Sequence, residues 1–469
     1  MLCCEIVEKR IKTQRKKNQI DMLQGSIWKG LLRFALPLAA TNLLQQLFNA
    51  ADMAVVGHFA SSEALSAVGV NAPLTNLVVN IFVGLSVGTN VVVANLLGKK
   101  DAQSVSRAVH TSIVVALISG ILVGVLGPLL VDVMLGWMQT PENIFEMAHT
   151  YLTIYLLGAP FIMLLNFTSA ILRSKGDTRR PFIVLVIAGV INVVLNIVFV
   201  VGCGMDADGV ALATVIANAI SSITLLVILF RETDEVRVEF KKLCFDWPLF
   251  VRIFALGVPA GIQGLMFSLS NVIIQVGLNE LGSQVVAGST AGLNMEIMCY
   301  MISAAFGQGA MTFVSQNHGA ENYPRCRSIV RWAALLLIII VGVVSVLIVV
   351  FASFFSGLFS ADPEVFGFSN IRIYYVTSFE IICGLIEVYS GALRGHGKSM
   401  TPAVICIVGI CVLRIAWVYT AFAVWHTYEC LLIAYALSWI VALAGMVVAY
   451  LLCVRKLESK LPSVSNSSC

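Results

Sequence analysis

The chain has 469 residues, of which 58% are hydrophobic and only 12% are charged, with a formal net charge of +4. Soluble domains have about 45–50% apolar and about 25% charged residues, so the composition excludes an ordinary water-soluble protein. The small positive charge is accounted for by basic loops that set membrane topology, and nucleic-acid binding is not expected.

Long apolar runs recur along the whole chain. A helix that crosses a bilayer needs about 20 predominantly apolar residues. We therefore predict an all-α polytopic membrane protein with twelve transmembrane helices. The predicted spans are residues 31–56, 67–97, 108–135, 149–172, 181–202, 209–230, 249–279, 285–316, 329–355, 371–393, 401–422 and 430–454.

Basic residues concentrate on one side of these spans. Of the 30 Lys and Arg, only Arg372 and Arg414 fall outside the N-terminal segment, the alternate loops and their flanks. The positive-inside rule then predicts that both termini are cytoplasmic. The first 30 residues are basic but lack a cleavable signal-peptide pattern, so we expect the first span to direct insertion. The twelve cysteines include no metal-type CxxC pair, and no metal site is expected.

The chain contains an internal repeat. LRSKGDTRRP at 172–181 returns as LRGHGKSMTP at 393–402, a shift of 221 positions, and GTNVVVANLLG at 88–98 returns at the same shift as GAMTFVSQNHG. Each copy holds six spans, which predicts two parallel six-helix lobes. The predicted segments are a basic cytoplasmic N-terminal segment (1–30), an N-lobe (31–230), a cytoplasmic linker (231–248), a C-lobe (249–454) and a cytoplasmic tail (455–469).

Several motifs then resemble one transporter family over roughly residues 25–455. They are FALPLAATNLLQQLFNAADMAVVG in the first span, AVGVNAP in the second, GTNVVVANLLGKKD at its inner end, and SQNHGAEN and ALRGHGKSMTP in the second copy. With these motifs in this order, the chain resembles the multidrug and toxic compound extrusion (MATE) transporters of the MOP superfamily. A major-facilitator fold also has twelve spans, but GKKDAQSVSR does not match its basic loop after the second span.

Asp52 is the leading candidate for an ion-coupling residue. It is the only acid deep within the spans of the first lobe, and intramembrane acids are functional candidates by default. A carboxylate there can take up a proton, or stay ionised and attract a cation, and either event links an ion to substrate binding. A structural hydrogen-bonding role is the alternative. Asn49 precedes Asp52 by three residues on the same span.

The resemblance also bears on the polar residues near Asp52. One branch of the family carries an Asn and an Asp four residues apart on the fifth span, where this chain has Asn192 and Asn196, so a two-carboxylate proton site is in doubt. We expect these amides to face Asp52 together with Asn166 and Thr214. A sodium-coupled branch has a Glu on the seventh span, but residues 259–279 contain no acid.

The second lobe has its own ionisable residues within predicted spans. Glu380 and Arg414 each lie about 13 residues from the inner end of their span, so we predict an ion pair between them, with a structural or a functional role. The predicted substrate and cavity residues are Glu296, Glu387, Glu380, Arg414, Asn271 and Gln275.

The favoured interpretation is a proton- or sodium-driven antiporter that exports multiple drugs or organic cations by alternating access. It is expected to be monomeric, in a bacterial inner membrane, without a cofactor and without enzymatic activity. A lipid-linked oligosaccharide flippase of the same superfamily is the first alternative, and it would need basic residues for a pyrophosphate. A non-transporting membrane receptor is the second.

Overall fold

A computed structural model describes residues 20–357 and 362–459, apart from the Ile81 side chain. The predicted N-terminal segment up to residue 19 and the predicted tail from residue 460 lie outside this part. The described residues are helical with connecting turns, and no strand occurs among them. The main helices are α1 (Ile27–Phe59), α2 (Ser62–Lys99), α3 (Ala102–Trp137), α4 (Glu142–Leu157 and Ala159–Ser174), α5 (Arg179–Gly202), α6 (Ala207–Phe230), α7 (Trp247–Glu280), α8 (Ser283–Gly319), α9 (Tyr323–Val350), α10 (Pro363–Gly395), α11 (Met400–Trp425) and α12 (Tyr428–Glu458).

These twelve helices of the described part overlap the twelve predicted spans one by one. Ten have the length and hydropathy of a membrane span, and the two parts of α4, bent by 46° at Gly158, make an eleventh. Helix α1 is long enough to span, but Asn and Gln side chains along 42–52 lower its mean hydropathy. The all-helical, membrane-spanning fold class is confirmed, whereas the side on which the termini lie stays a prediction.

Besides the bent α4, three helices of the described part are irregular. The fifth ends in a π-helical turn, Val198–Gly202, and α11 contains two π-helical stretches, Ile407–Val412 and Val418–Phe422. Helix α10 is interrupted by a tight turn at Thr377–Phe379. Each irregularity rotates the following residues relative to a regular helix, so counts of residues from a helix end misplace the side chains that follow.

The internal repeat is visible in the backbone of two equivalent turns. Gly176 follows α4 and Gly397 follows α10, and both have positive φ, 90° and 78°, which glycine adopts without strain. The Gly176 N–H donates to the Arg173 carbonyl at 2.9 Å, and the Gly397 N–H donates to the Arg394 carbonyl at 2.8 Å. The two sequence motifs 221 residues apart therefore form the same helix-terminating turn.

The described chain packs as two units. The first contains Arg33–Leu265, and the second contains Met22–Leu32 and the residues from Met266 onward. The first part of α7 belongs to the first unit, because glycines of α2 allow close contact with it. A Cβ atom on Gly84 would lie 2.8 Å from the Gly257 carbonyl oxygen, which leaves no room for a side chain.

The loop after α6, predicted to be the linker, also packs on the first unit. Glu232 is 3% exposed, and its carboxylate lies 2.9 Å from the Lys175 ammonium and pairs with Arg180. Lys175 has a second acid, Asp234, at 2.8 Å, and Arg180 also pairs with Asp177. These ion pairs attach the loop to the turn between α4 and α5.

The second unit is built around the contact of α8 with α10. Gly307 and Gly391 face each other there, and a Cβ on Gly391 would overlap the Gly307 carbonyl. Trp439 of α12 and Phe306 of α8 are among its largest fully buried side chains. Small residues at this contact let the two backbones approach closely, as is common between helices in membranes.

Candidate functional site

Polar residues line one face of the second half of α1. Gln45, Asn49 and Asp52 are spaced four and three residues apart, which places them on a common helix face. Gln45 and Asn49 are exposed and Asp52 is half-buried. Exposed polar side chains on a spanning helix face water more readily than lipid, so this face borders an aqueous space.

The carboxylate of Asp52 is held by α5. The Asn196 amide nitrogen donates to Asp52 Oδ1 at 2.5 Å, and Asn196 is completely buried. Thr214 of α6 lies beside the same carboxylate, and the Asn192 amide lies 3.4 Å from the Thr214 hydroxyl. Four of the six predicted coupling residues therefore form one connected group within the first unit.

The other two predicted residues are placed differently. The Asn166 amide donates to the Ile162 carbonyl of its own helix at 2.8 Å, and Asn49 lies exposed one turn before Asp52. Two aromatic residues near Asp52 were missed: Tyr151 and Tyr155 of α4 stack at 6.4 Å between ring centroids, and Tyr151 lies near Asp52. Their spacing of four residues on an apolar helix was the available signal.

In the second unit the principal ion pair joins Arg372 to Glu296. The Arg372 guanidinium donates to Glu296 Oε2 at 2.7 Å and 3.2 Å, and to the Ser289 hydroxyl at 2.8 Å. Arg372 is 2% exposed and lies 5.1 Å from the Tyr435 ring centroid. Arg372 was not among the predicted site residues, because its position near the start of the tenth predicted span carries no measure of burial.

The predicted ion pair between Glu380 and Arg414 is wrong. Arg414 donates to the Asn271 amide oxygen at 2.9 Å and to the Ser438 hydroxyl at 3.1 Å, and it stacks on Tyr435 at 4.1 Å. Glu380 is 1% exposed and lies beside the Cys383 thiol, one turn along the same helix. The π-helical stretch Ile407–Val412 lies between the inner end of α11 and Arg414, so it shifts Arg414 from the position that a residue count gives.

The remaining predicted cavity residues have local contacts. Glu387 of α10 lies beside Tyr300, and its backbone packs against Gly307. The Gln275 amide donates to the Asn279 side-chain oxygen at 3.0 Å, one turn further along α7. Within residues 20–357 and 362–459, no three His, Cys, Asp or Glu side chains are grouped as a metal site requires.

Both halves of the chain match one known protein family. The MatE family model matches residues 37–198 and again 259–420, so each half of the chain matches it separately. Among curated relatives, the probable multidrug resistance protein YoeA of Bacillus subtilis is 27% identical over 87% of this chain and 88% of its own length. The probable multidrug resistance protein NorM of Thermotoga maritima is 27% identical over 83% of this chain and 84% of its own length.

Solved structures show the same fold. The outward-facing conformation of a multidrug resistance MATE transporter of the MOP superfamily superposes with a TM-score of 0.88 at 21% sequence identity. The match covers 94% of this chain and 99% of that one. At this identity the similarity carries the fold, and the roles of individual side chains must come from the site itself.

Proposed function

The chain belongs to the MatE family of multi-pass membrane transporters, and on this premise we propose that it is a multidrug exporter. In this proposal it works as a monomer and exchanges amphipathic organic cations for protons or sodium ions by alternating access. Two curated relatives carry the names of probable multidrug resistance proteins, and this supports the export of drugs.

The observation that carries the proposal is the hydrogen bond from Asn196 to Asp52. A buried amide fixes the only acid of this group next to the polar face of α1. One carboxylate cannot neutralise a coupling ion and an organic cation at once. The two cations therefore compete for Asp52, and competition for one site is sufficient to exchange one against the other across the membrane.

The amide is suited to both charge states of the acid. An Asn side chain offers an NH₂ donor and a carbonyl acceptor. The NH₂ group donates to an ionised Asp52, as in this structure, while Asn196 Oδ1 is buried and has no hydrogen-bond partner in the described part of the chain. Rotation of the amide would present this oxygen to a protonated carboxyl. Asn196 can thus hydrogen-bond to Asp52 whether or not the carboxyl group is protonated.

The test is transport by purified protein in liposomes. Export of a fluorescent organic cation, rhodamine B ethyl ester, is measured with an imposed pH gradient, an imposed sodium gradient and no gradient. We expect one gradient to accelerate export by the wild type, which identifies the coupling ion. Asp52→Asn should reduce export to the rate seen without a gradient.

The matched control is Asp132→Asn, the same change at an acid that is 75% exposed and whose carboxylate lies 3.5 Å from the His149 ring. This variant should keep the acceleration by the gradient. Gradient-dependent export by Asp52→Asn at the rate of the wild type would contradict the proposed role of Asp52.

One observation favours the flippase alternative. The second unit holds two buried arginines, Arg372 and Arg414, and a pyrophosphate needs basic residues. Arg372 is neutralised by Glu296, which leaves one arginine without an acid and weakens the case for binding a pyrophosphate. Movement of a lipid-linked oligosaccharide across liposomes without movement of the dye would favour the flippase.

A further inference from the structure

The second half of α7 has a polar exposed face. Ser268, Asn271 and Gln275 are exposed at spacings of three and four residues, so they share one side of the helix. Val272 and Val276 are also exposed, 56% and 52%, on a neighbouring side. Apolar side chains suit lipid, whereas amides and hydroxyls in a spanning helix favour water, so the polar side borders an aqueous space.

Directly behind this face lies Arg414. Its Nη1 donates to the exposed Asn271 at 2.9 Å and its Nε donates to Ser438 at 3.1 Å, yet the side chain itself is 0% exposed. Its Nη2 is buried and has no hydrogen-bond partner within the residues that the structure describes. Tyr435 and Phe267 lie over the guanidinium at 4.1 Å and 5.7 Å. The site therefore combines one unused donor with aromatic walls.

Arg414 also lacks an acid in direct contact among the described residues. Arg372, on α10 of the same unit, has Glu296 at 2.7 Å, whereas no described acid lies within 4.0 Å of Arg414. A buried charge without a counter-ion is costly, and pairing is the usual remedy. A guanidinium in this position is suited to a carboxylate, which it can bind through two parallel hydrogen bonds.

We infer that Arg414 and Asn271 form a subsite for the carboxylate of zwitterionic amphipathic substrates. This inference rests on the proposed export function and specifies its substrate class. The carboxylate displaces the Asn271 oxygen from Nη1 and also accepts from the unused Nη2, while the Asn271 amide turns its NH₂ group toward the ligand. The planar part of the substrate packs on Phe267 and Tyr435.

The experiment compares two dyes that differ only in the carboxylate: rhodamine B, which has a free carboxylate, and its ethyl ester, a simple cation. Binding to the purified protein in nanodiscs is measured by fluorescence anisotropy without any ion gradient. Arg414→Gln should raise the Kd of rhodamine B by about tenfold or more, equal to about 1.4 kcal/mol. The Kd of the ester should change by less than about threefold.

A second variant avoids the removal of a buried charge. Asn271→Asp places a carboxylate next to Arg414, so it should stabilise the fold while occupying the subsite. We expect it to weaken rhodamine B binding and to preserve or strengthen binding of the ester. Asn279→Asp, the same change two turns along α7, is the control and should leave the ratio of the two Kd values unchanged.

Two results would overturn the inference. One is a wild-type protein that binds rhodamine B no better than Asn271→Asp does, and the other is an equal loss of both dyes in the variants. The proposed export function fails separately. If no gradient moves the ester in liposomes but the dye selectivity in nanodiscs depends on Arg414, the carboxylate subsite stands and the antiport mechanism does not.

Discussion

Replacement of Glu232 by Gln tests whether the loop after α6 is attached to the first unit by its ion pairs. The carboxylate is 3% exposed and is shared by Lys175 and Arg180. Removing one partner from a buried pair costs about 3–5 kcal/mol, because it leaves an uncompensated charge. Since Lys175 keeps Asp234 and Arg180 keeps Asp177, we expect the lower end of this range, about 3 kcal/mol.

Thermal unfolding in detergent, followed by tryptophan fluorescence, measures the effect. For a unit of this size, 1 kcal/mol shifts Tm by about 2–4 °C, so Glu232→Gln should lower Tm by roughly 6–12 °C. The control is Glu239→Gln, which removes the 3.0 Å pair with Lys242, a residue 60% exposed. An exposed pair is screened by water and contributes little to stability, so Tm should fall clearly less than in Glu232→Gln. Equal shifts in the two variants would refute the reasoning.

Two further predictions concern the second unit. Gly391→Ala should destabilise the protein by about 1–3 kcal/mol, because its Cβ would overlap the Gly307 carbonyl. The control Gly69→Ala, at a glycine of the first unit with open space around it, should be neutral or stabilising by up to about 1 kcal/mol. Both effects are measured as shifts of Tm, and equal shifts would contradict the close packing at Gly391. Burial, with His318 beside it, lowers the pKa of His396 from its ordinary value of 6.5 to about 3. As the pH falls below 6.5, His396 takes up a proton in the unfolded chain before it does so in the folded protein. The free energy of unfolding therefore decreases between pH 6.5 and about pH 3, by up to about 1.4 kcal/mol per pH unit. The Tm of His396→Gln should fall less steeply below pH 6.5 than that of the wild type, and parallel slopes would contradict a buried neutral histidine.

Much of the fold could be predicted from periodicity and composition. Span length and hydropathy gave the twelve helices, and the repeated motif gave two turns with the same glycine conformation at Gly176 and Gly397. In the first unit the spacing of Asn192 and Asn196 placed both amides on the helix face that meets Asp52 and Thr214. Regular helices preserve such relations, so residue spacing was sufficient there.

In the second unit, residue spacing was not sufficient to predict the partners of the buried charged residues. Depth counted from the inner helix ends placed Glu380 level with Arg414, but the π-helical stretch Ile407–Val412 lies within the counted part of α11 and changes the position of Arg414. The partner of Glu296 is Arg372, which follows it by 76 residues in sequence. Nothing in composition or spacing marks a helix irregularity of one residue, and a shift of that size is enough to exchange the partners of a buried charge.

The central claim is that the coupling ion and the substrate compete for Asp52. Its most direct test is the Kd of rhodamine B ethyl ester for the purified protein over a range of pH and of sodium concentration. We predict that protons or sodium ions weaken binding to the wild type competitively, and that binding to Asp52→Asn is weaker and independent of both ions. The same ion dependence in Asp52→Asn as in the wild type would contradict the claim.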